Sequence, residues 1–64
     1  MADYTKPLRD ALNDNGWEFH RRGKGSHDVW IDPNNNNTVS VPIKIKSKQT
    51  ANSILKRANI AQRF

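Results

Sequence analysis

The residue best suited to chemistry in this sequence is His27, which lies between a glycine-rich basic turn and an apolar run. The turn is Gly23–Ser26, with the sequence GKGS, and the run is Val29–Ile31, with the sequence VWI. An unperturbed imidazole changes its charge between about pH 5 and pH 8, so it gives or takes a proton at neutral pH. Glycines let the backbone approach a phosphate closely, and nearby cations attract one. These residues together indicate a proton-transfer group directed at a nucleic-acid backbone.

A metal-free route to RNA cleavage is open to such a histidine. The imidazole can help to deprotonate the ribose 2′-hydroxyl, which attacks the adjacent phosphate, or it can protonate the leaving oxygen. DNA lacks this hydroxyl. General acid–base help contributes about 10²–10⁴-fold, so one histidine aided only by cations and backbone N–H groups would make a slow enzyme. From the residue types alone, a lone histidine at a strand start is more often a surface or structural residue, and both interpretations stay open.

The other candidate residues have less specific signals. His20 is expected on the solvent side of a strand, where it is solvated or contacts phosphate. The histidines and neighbouring aspartates lack the spacings that bring metal ligands together, so we expect no metal and no other cofactor. Trp17 and Phe19 are expected to pack in the core, whereas Trp30, out of phase with its apolar neighbours, can be exposed and available to stack on a base.

The charge of the chain favours a polyanionic partner. Eleven lysines and arginines against six acidic residues give a formal net charge of +5, and the sequence pI is about 10.1. Nucleic acid is the expected partner; the alternative is that the charge serves solubility or an acidic protein partner. The residues expected to contact RNA are Arg21, Arg22, Lys24, Gly25, Ser26, Lys44, Lys46 and Lys48.

The length of 64 residues is that of a single domain, residues 1–64, because so short a chain cannot divide its core. The sequence has no cysteine, which fits a cytoplasmic protein. No apolar stretch resembles a signal peptide or is long enough to span a bilayer, so we expect a soluble, cytoplasmic protein with no membrane partner.

Apolar periodicity predicts two helices around three strands. Pro7 suits a first helical turn, and a glycine ends the first helix, predicted over 5–15. The second helix follows from apolar residues at i, i+3, i+4 and i+7 from Ala51, with Ser47 or Thr50 as its cap. The strands are predicted over 17–22, 27–32 and 38–41, with an asparagine loop before the third. The fold class is therefore α+β: helix, three-stranded antiparallel sheet, helix, with both helices on one face.

Three segments carry a resemblance to a known family. They are Gly25-Ser26-His27, the strand 39–42 (VSVP) and the final segment 50–60 (TANSILKRANI). With these segments the chain, from its first helix to Ile60, resembles the HicA toxins, also called YcfA-like, of bacterial HicAB toxin–antitoxin systems. The resemblance implies an mRNA-cleaving ribonuclease, or mRNA interferase, with a fold similar to the double-stranded RNA-binding domain and with His27 as its catalytic residue. It also implies a HicB antitoxin that binds the toxin and blocks His27.

The sequence departs from the family pattern at three positions. Asp28 stands where many relatives have a second histidine or another basic residue, Lys44 where many have a histidine, and Gln49 where a glycine is common. None of these changes touches His27. Two other functions stay open beside the ribonuclease: a non-catalytic RNA-binding module of the same fold, and a basic protein-interaction module. His27 in its glycine–serine setting is the feature that favours an enzyme.

Overall fold

The structure, a computed structural model, describes residues 3–64, and its elements follow the predicted order. The helices and strands are α1 (Thr5–Asp14), β1 (Glu18–Arg22), β2 (His27–Asp32), β3 (Asn37–Pro42) and α2 (Lys48–Arg57). The strands form one antiparallel sheet in the order β1-β2-β3, so β2 is the central strand. The predicted α+β class is confirmed. Within the described range, no helix is long and apolar enough to cross a membrane.

Both helices end in the same hydrogen-bonded motif. Gly16 has a φ of +86° just after α1, and Trp17 N donates to the carbonyl of Leu12 at 2.9 Å. This pattern is a Schellman motif, in which a residue of positive φ lets the chain turn back and satisfy the last carbonyls. Asn59, with a φ of +58°, has this role after α2. The predicted glycine stop is therefore confirmed, although α1 ends one residue earlier than expected.

The start of α2 depends on one side chain. Ser47 has an extended backbone, and its hydroxyl accepts a hydrogen bond from Thr50 N at 3.4 Å. Of the two predicted caps, Ser47 is the one used. The connector before α2 also holds α1, because Tyr4 N donates to the carbonyl of Ile45 and Ile45 N donates to the hydroxyl of Thr5. The connector between β3 and α2 is thus hydrogen-bonded to the start of α1.

Side chains along β2 divide between the two faces of the sheet. Asp28 and Trp30 are buried toward the helices, whereas His27 is exposed and Val29 and Ile31 are half-buried on the other face. Both helices contribute to the single core on the covered face, as predicted, and the other face stays open. The buried apolar residues are Leu8, Ala11, Leu12, Trp17, Trp30, Val39, Val41, Ile45, Ala51, Ile54, Leu55, Ala58 and Ile60.

Two predictions about aromatic residues are wrong. Trp30 is only 5% exposed, because its position in β2 points it at the helices. Phe19 is 52% exposed, although it was expected in the core. It lies on the helix-facing side of the edge strand β1, whose five residues are all exposed because no helix covers them. Trp17, which precedes β1, is buried as expected.

A bulge interrupts the pairing of β1 with β2. Phe19 pairs with Trp30 and Arg21 pairs with Val29, so β1 advances by two residues while β2 advances by one. His20 is the extra residue of this bulge, and its side chain is exposed, as predicted. After the bulge, each side chain of β1 points to the face opposite to the one that simple alternation from Phe19 would give it. Arg21 therefore lies on the same open face as Val29.

We expect Leu55→Ala to destabilise the protein more than Ile31→Ala does. Leu55 is fully buried between helix and sheet, whereas Ile31 is half-buried on the open face. Removing a fully buried leucine side chain costs about 2–5 kcal/mol, and a site open to water leaves no cavity. Chemical denaturation of both variants measures the two free energies of unfolding. Equal losses would contradict the assignment of the covered and open faces.

Candidate functional site

The backbone on both sides of His27 is held in place. The His27 carbonyl accepts a hydrogen bond from Gly23 N at 2.8 Å, which closes the turn between β1 and β2. The Ser26 carbonyl accepts from Ile43 N, also at 2.8 Å. Pro42 and His27 form a non-hydrogen-bonded pair, in which the ladder bonds come from the flanking residues, so the missing N–H of Pro42 costs no bond to β2. The backbone at His27 is thus held by the β1–β2 turn on one side and by the end of β3 on the other. The His27 side chain is exposed.

The glycines of the turn meet two different requirements. Gly25 has a φ of +60°, a conformation that most residues avoid. A Cβ atom on Gly23 would lie 3.1 Å from the His27 carbonyl oxygen and 3.3 Å from Val29 Cγ2, which is tighter than ordinary contact. One glycine therefore gives the turn its shape, and the other allows the two strands to approach where His27 begins β2.

His27 borders three shallow depressions that carry positive charge. The first, of about 500 Å³, is lined by Arg21 and Lys24 from the β1–β2 region. Another, of about 280 Å³, is lined by Ser26 and Lys44. These four residues were all predicted to contact RNA, and the structure brings them to His27. The arrangement places cations on two sides of one exposed imidazole.

The remaining depression joins His27 to α2. Its volume is about 270 Å³, and His27 and Ser40 form its sheet side. Thr50, Ser53 and Arg57 form its helix side. None of these three helix residues was among the predicted site residues. Their i, i+3, i+7 spacing marks one stripe of a helix, but sequence spacing alone does not show that this stripe meets the edge of the sheet.

The charge around His27 has one sign. Four cations, Arg21, Lys24, Lys44 and Arg57, line the three depressions. Among residues 3–64, no carboxylate lines any of them. Several cations without a nearby carboxylate attract a polyanion and raise its local concentration. The surface around His27 therefore suits phosphate groups on either side of the imidazole.

Other predicted RNA contacts lie elsewhere. Arg22 follows Arg21 in β1 but faces the helices, where its Nε atom lies 3.2 Å from Asp28 Oδ1. Arg22 was expected to contact RNA, but the bulge in β1 turns its side chain to the helix side of the sheet, away from His27. Lys46 and Lys48 do not line the depressions that surround His27. Gly25 contributes through the shape of the turn.

Asp28, which departs from the family pattern, is turned away from His27. Its side chain is 9% exposed and lies between two arginines: Arg22 at 3.2 Å and Arg9 of α1, whose Nη2 atom lies 3.5 Å from Oδ2. The contact with Arg22 has the distance of an ion pair without hydrogen-bond geometry, since Oδ1 has no hydrogen-bond partner. Buried charges require such partners. Asp28 therefore links α1 to β1 and β2.

A larger groove of about 930 Å³ lies beside α1, on the helix-facing side of the sheet. Phe19 and Trp30 meet there edge to face, with ring centroids 6.3 Å apart. The groove has three cations and three carboxylates, so its charges balance, unlike those around His27. One of these carboxylates, Asp3, accepts a hydrogen bond from Thr5 N, which lowers the pKa of the Asp3 carboxyl. The charges of this groove favour no polyanion.

Fold and site together define a small α+β domain that presents one exposed histidine within a cationic surface. The family model described as HicA toxin of bacterial toxin-antitoxin matches residues 6–60. The chain therefore belongs to the HicA toxin family. Membership assigns it the toxin role in a toxin–antitoxin system and implies an antitoxin partner. No curated protein and no solved structure matches the chain.

We expect Gly25→Ala to lower the free energy of unfolding by about 1–2 kcal/mol, the cost of a positive φ for a residue with a Cβ atom. Gly25→Asn is the matched control, because asparagine tolerates this conformation. No atom lies within 4 Å of the added Cβ, so crowding does not contribute. Chemical denaturation of the two variants measures the difference. An asparagine variant as unstable as the alanine variant would show that φ is not the cause.

Proposed function

We propose that this toxin is a metal-independent endoribonuclease, an mRNA interferase that inhibits translation in the cytoplasm. The observation that supports it best is the position of His27. The imidazole is exposed where three depressions meet, with four cations and, in the described part of the chain, no carboxylate along their walls. A proton-transfer group in such a field fits a phosphodiester substrate.

In the proposed reaction the ribose 2′-oxygen attacks the adjacent phosphorus, and the bond from phosphorus to the 5′-oxygen breaks. The products are a 2′,3′-cyclic phosphate and a free 5′-hydroxyl. Neutral His27 takes the proton from the 2′-hydroxyl, and solvent protonates the leaving oxygen; protonated His27 would serve that second step instead. The nucleophile belongs to the substrate, so the protein supplies proton transfer and positive charge and needs no activated side-chain nucleophile or metal.

RNA binding in this proposal uses the cations beside His27. Arg21 and Lys24 hold the backbone on the side of the β1–β2 turn, and Lys44 holds it on the side of the connector. Phosphate contacts of this kind position a strand without reading its sequence. Lys46 and Lys48 would contact RNA only beyond these depressions.

The antitoxin partner is proposed to be of the HicB type and to bind over His27. An acidic surface on the antitoxin would complement the cations of the three depressions, so antitoxin and RNA would compete for one surface. A non-catalytic RNA-binding module would use the same cations. The two functions differ only in what His27 does.

We expect His27→Ala to abolish RNA cleavage and growth inhibition together, because the proton-transfer group is removed. The melting temperature and the affinity for RNA should change little, since His27 is exposed and the phosphate contacts lie on other residues. Native protein should cleave single-stranded RNA in excess chelator and leave the 2′-deoxy oligonucleotide of the same sequence intact. Cleavage assays, growth curves and thermal denaturation on the same preparations test this.

Several results would contradict the ribonuclease proposal. A folded His27→Ala protein that cleaves RNA at the native rate would remove His27 from the mechanism. Cleavage of the deoxy oligonucleotide would show that the 2′-hydroxyl is not the nucleophile. Loss of activity in excess chelator would show that the reaction requires a metal. Native protein that binds RNA without cleaving it would favour the binding module.

Arg21→Gln should weaken RNA binding and flatten its salt dependence, whereas Arg22→Gln should affect the salt dependence much less. The two arginines are adjacent, but only Arg21 lines a depression beside His27. One lost phosphate contact lowers the slope of log K against log salt by about 0.7 for a single strand. Binding titrations of a single-stranded RNA at several salt concentrations measure both slopes. Equal slopes would contradict the path proposed here.

A further inference from the structure

The exposed residues of α2 that line the depression beside His27 are hydrogen-bond donors, and the buried Ile54 lies behind them. Thr50, Ser53 and Arg57 line the depression of about 270 Å³, and Ser40 lies across from them on the open edge of β3. All four side chains are exposed, whereas Ala51 and Leu55 of the same helix are buried. One helix thus contributes its apolar face to the core and a neighbouring polar stripe to the surface beside His27.

Arg57 is free to bind a ligand. Its side chain makes no hydrogen bond or ion pair with any residue of the described range 3–64, and no carboxylate of that range lines the depression. A guanidinium binds phosphate oxygens in pairs through its planar set of N–H groups. Hydroxyl groups donate to the remaining oxygens. The volume of about 270 Å³ is below the range of about 300–1,000 Å³ for ligand pockets, which suits a phosphate with its sugar better than a larger molecule.

We propose that Arg57, with Thr50 and Ser53, binds the phosphate that is cleaved, and that the Arg57 guanidinium stabilises the negative charge that this phosphate gains during attack. The proposal rests on the ribonuclease function. The RNA strand would then run across His27 to α2. Arg21 and Lys24 would bind a flanking phosphate on the other side of His27. The two cationic sites differ in kind, because only the α2 site combines an arginine with several hydroxyl donors.

Arg57 also has a structural interaction within α2, which does not depend on a bound phosphate. Arg57 lies in the last turn of the helix, where a cation interacts favourably with the helix dipole. Lys56 lies in the same last turn and has the same dipole interaction, but it does not line the depression. The two residues therefore form a matched pair. Both interact with the helix dipole, but only Arg57 lines the depression beside His27.

The experiment compares native protein with Arg57→Gln, Lys56→Gln and Arg57→Lys in steady-state cleavage of a short single-stranded RNA. We expect Arg57→Gln to lower kcat by about 10²–10³-fold, the effect of losing one donor to transition-state charge, with a smaller change in KM. Lys56→Gln should stay within about twofold of native, as surface substitutions do. Arg57→Lys should recover part of the rate, because charge returns without the planar donor set.

Inorganic phosphate gives a readout that needs no cleavage. In NMR titrations, phosphate should shift the Arg57 side-chain and His27 imidazole signals together in native protein and in Lys56→Gln. In Arg57→Gln the His27 shift should be lost. Thermal denaturation of each variant verifies that it is folded.

Two results would overturn the proposal. Equal kcat values for Arg57→Gln and Lys56→Gln, in a protein that cleaves RNA through His27, would leave Arg57 only its interaction with the helix dipole. A raised KM with unchanged kcat would make Arg57 a contact of ground-state binding and not of the transition state. By contrast, native protein that binds phosphate at Arg57 yet cleaves no RNA would end the ribonuclease function and leave the phosphate site in place.

Discussion

Side chains along the central strand β2 point alternately to the two faces of the sheet. This alternation determines which of them are buried against the helices and which are exposed on the open face. His27 lies on one face, and Asp28 and Trp30 take the other. Because β2 is hydrogen-bonded on both sides, a slip of one residue would send His27 into the core and Trp30 into water. The apolar packing that fixes Trp30 therefore also fixes the direction of His27.

The helices extend this division to the rest of the domain. They pack on one face of the sheet, so a chain of 64 residues gains a single core and leaves the opposite face for binding. Helix α2 belongs to both regions, with Leu55 in the core and Arg57 beside His27. Any movement of this helix relative to β3 would change the core and the site together. In so small a domain, the precision of the site depends on core packing.

Much of the fold could be predicted because local sequence patterns dictate it. The spacing of Leu8, Ala11 and Leu12 marks one face of α1, and Gly16 supplies the positive φ that ends it. The strand boundaries of β2 follow from its β-branched and aromatic residues. The faces of β1 could not be predicted, because a bulge leaves no mark in residue type. In β2, three consecutive apolar residues hide the alternation, so the burial of Trp30 was missed.

The site was predicted in part. Arg21, Lys24 and Ser26 are close to His27 along the chain, so sequence proximity was enough to group them. Arg57 lies thirty residues further on, and it reaches His27 only because α2 packs against the edge of β3. Contacts of this kind are set by tertiary packing, and a single sequence carries little information about them. The same limit applied to Asp28, whose arginine partners come from two other elements.

The bulge at His20 has a consequence for chain length. His20 is the one residue of the pairing between Phe19 and Arg21 that has no partner in β2. A strand lacking it would pair Phe19, Arg21 and Arg22 with the same three residues of β2, each on its present face. Loss of one residue here would thus restore a regular ladder, whereas loss of a residue within β2 would turn the β2 side chains on one side of the gap to the opposite face of the sheet. Sequences that align with this chain can therefore accommodate a one-residue gap at His20, but not at Val29.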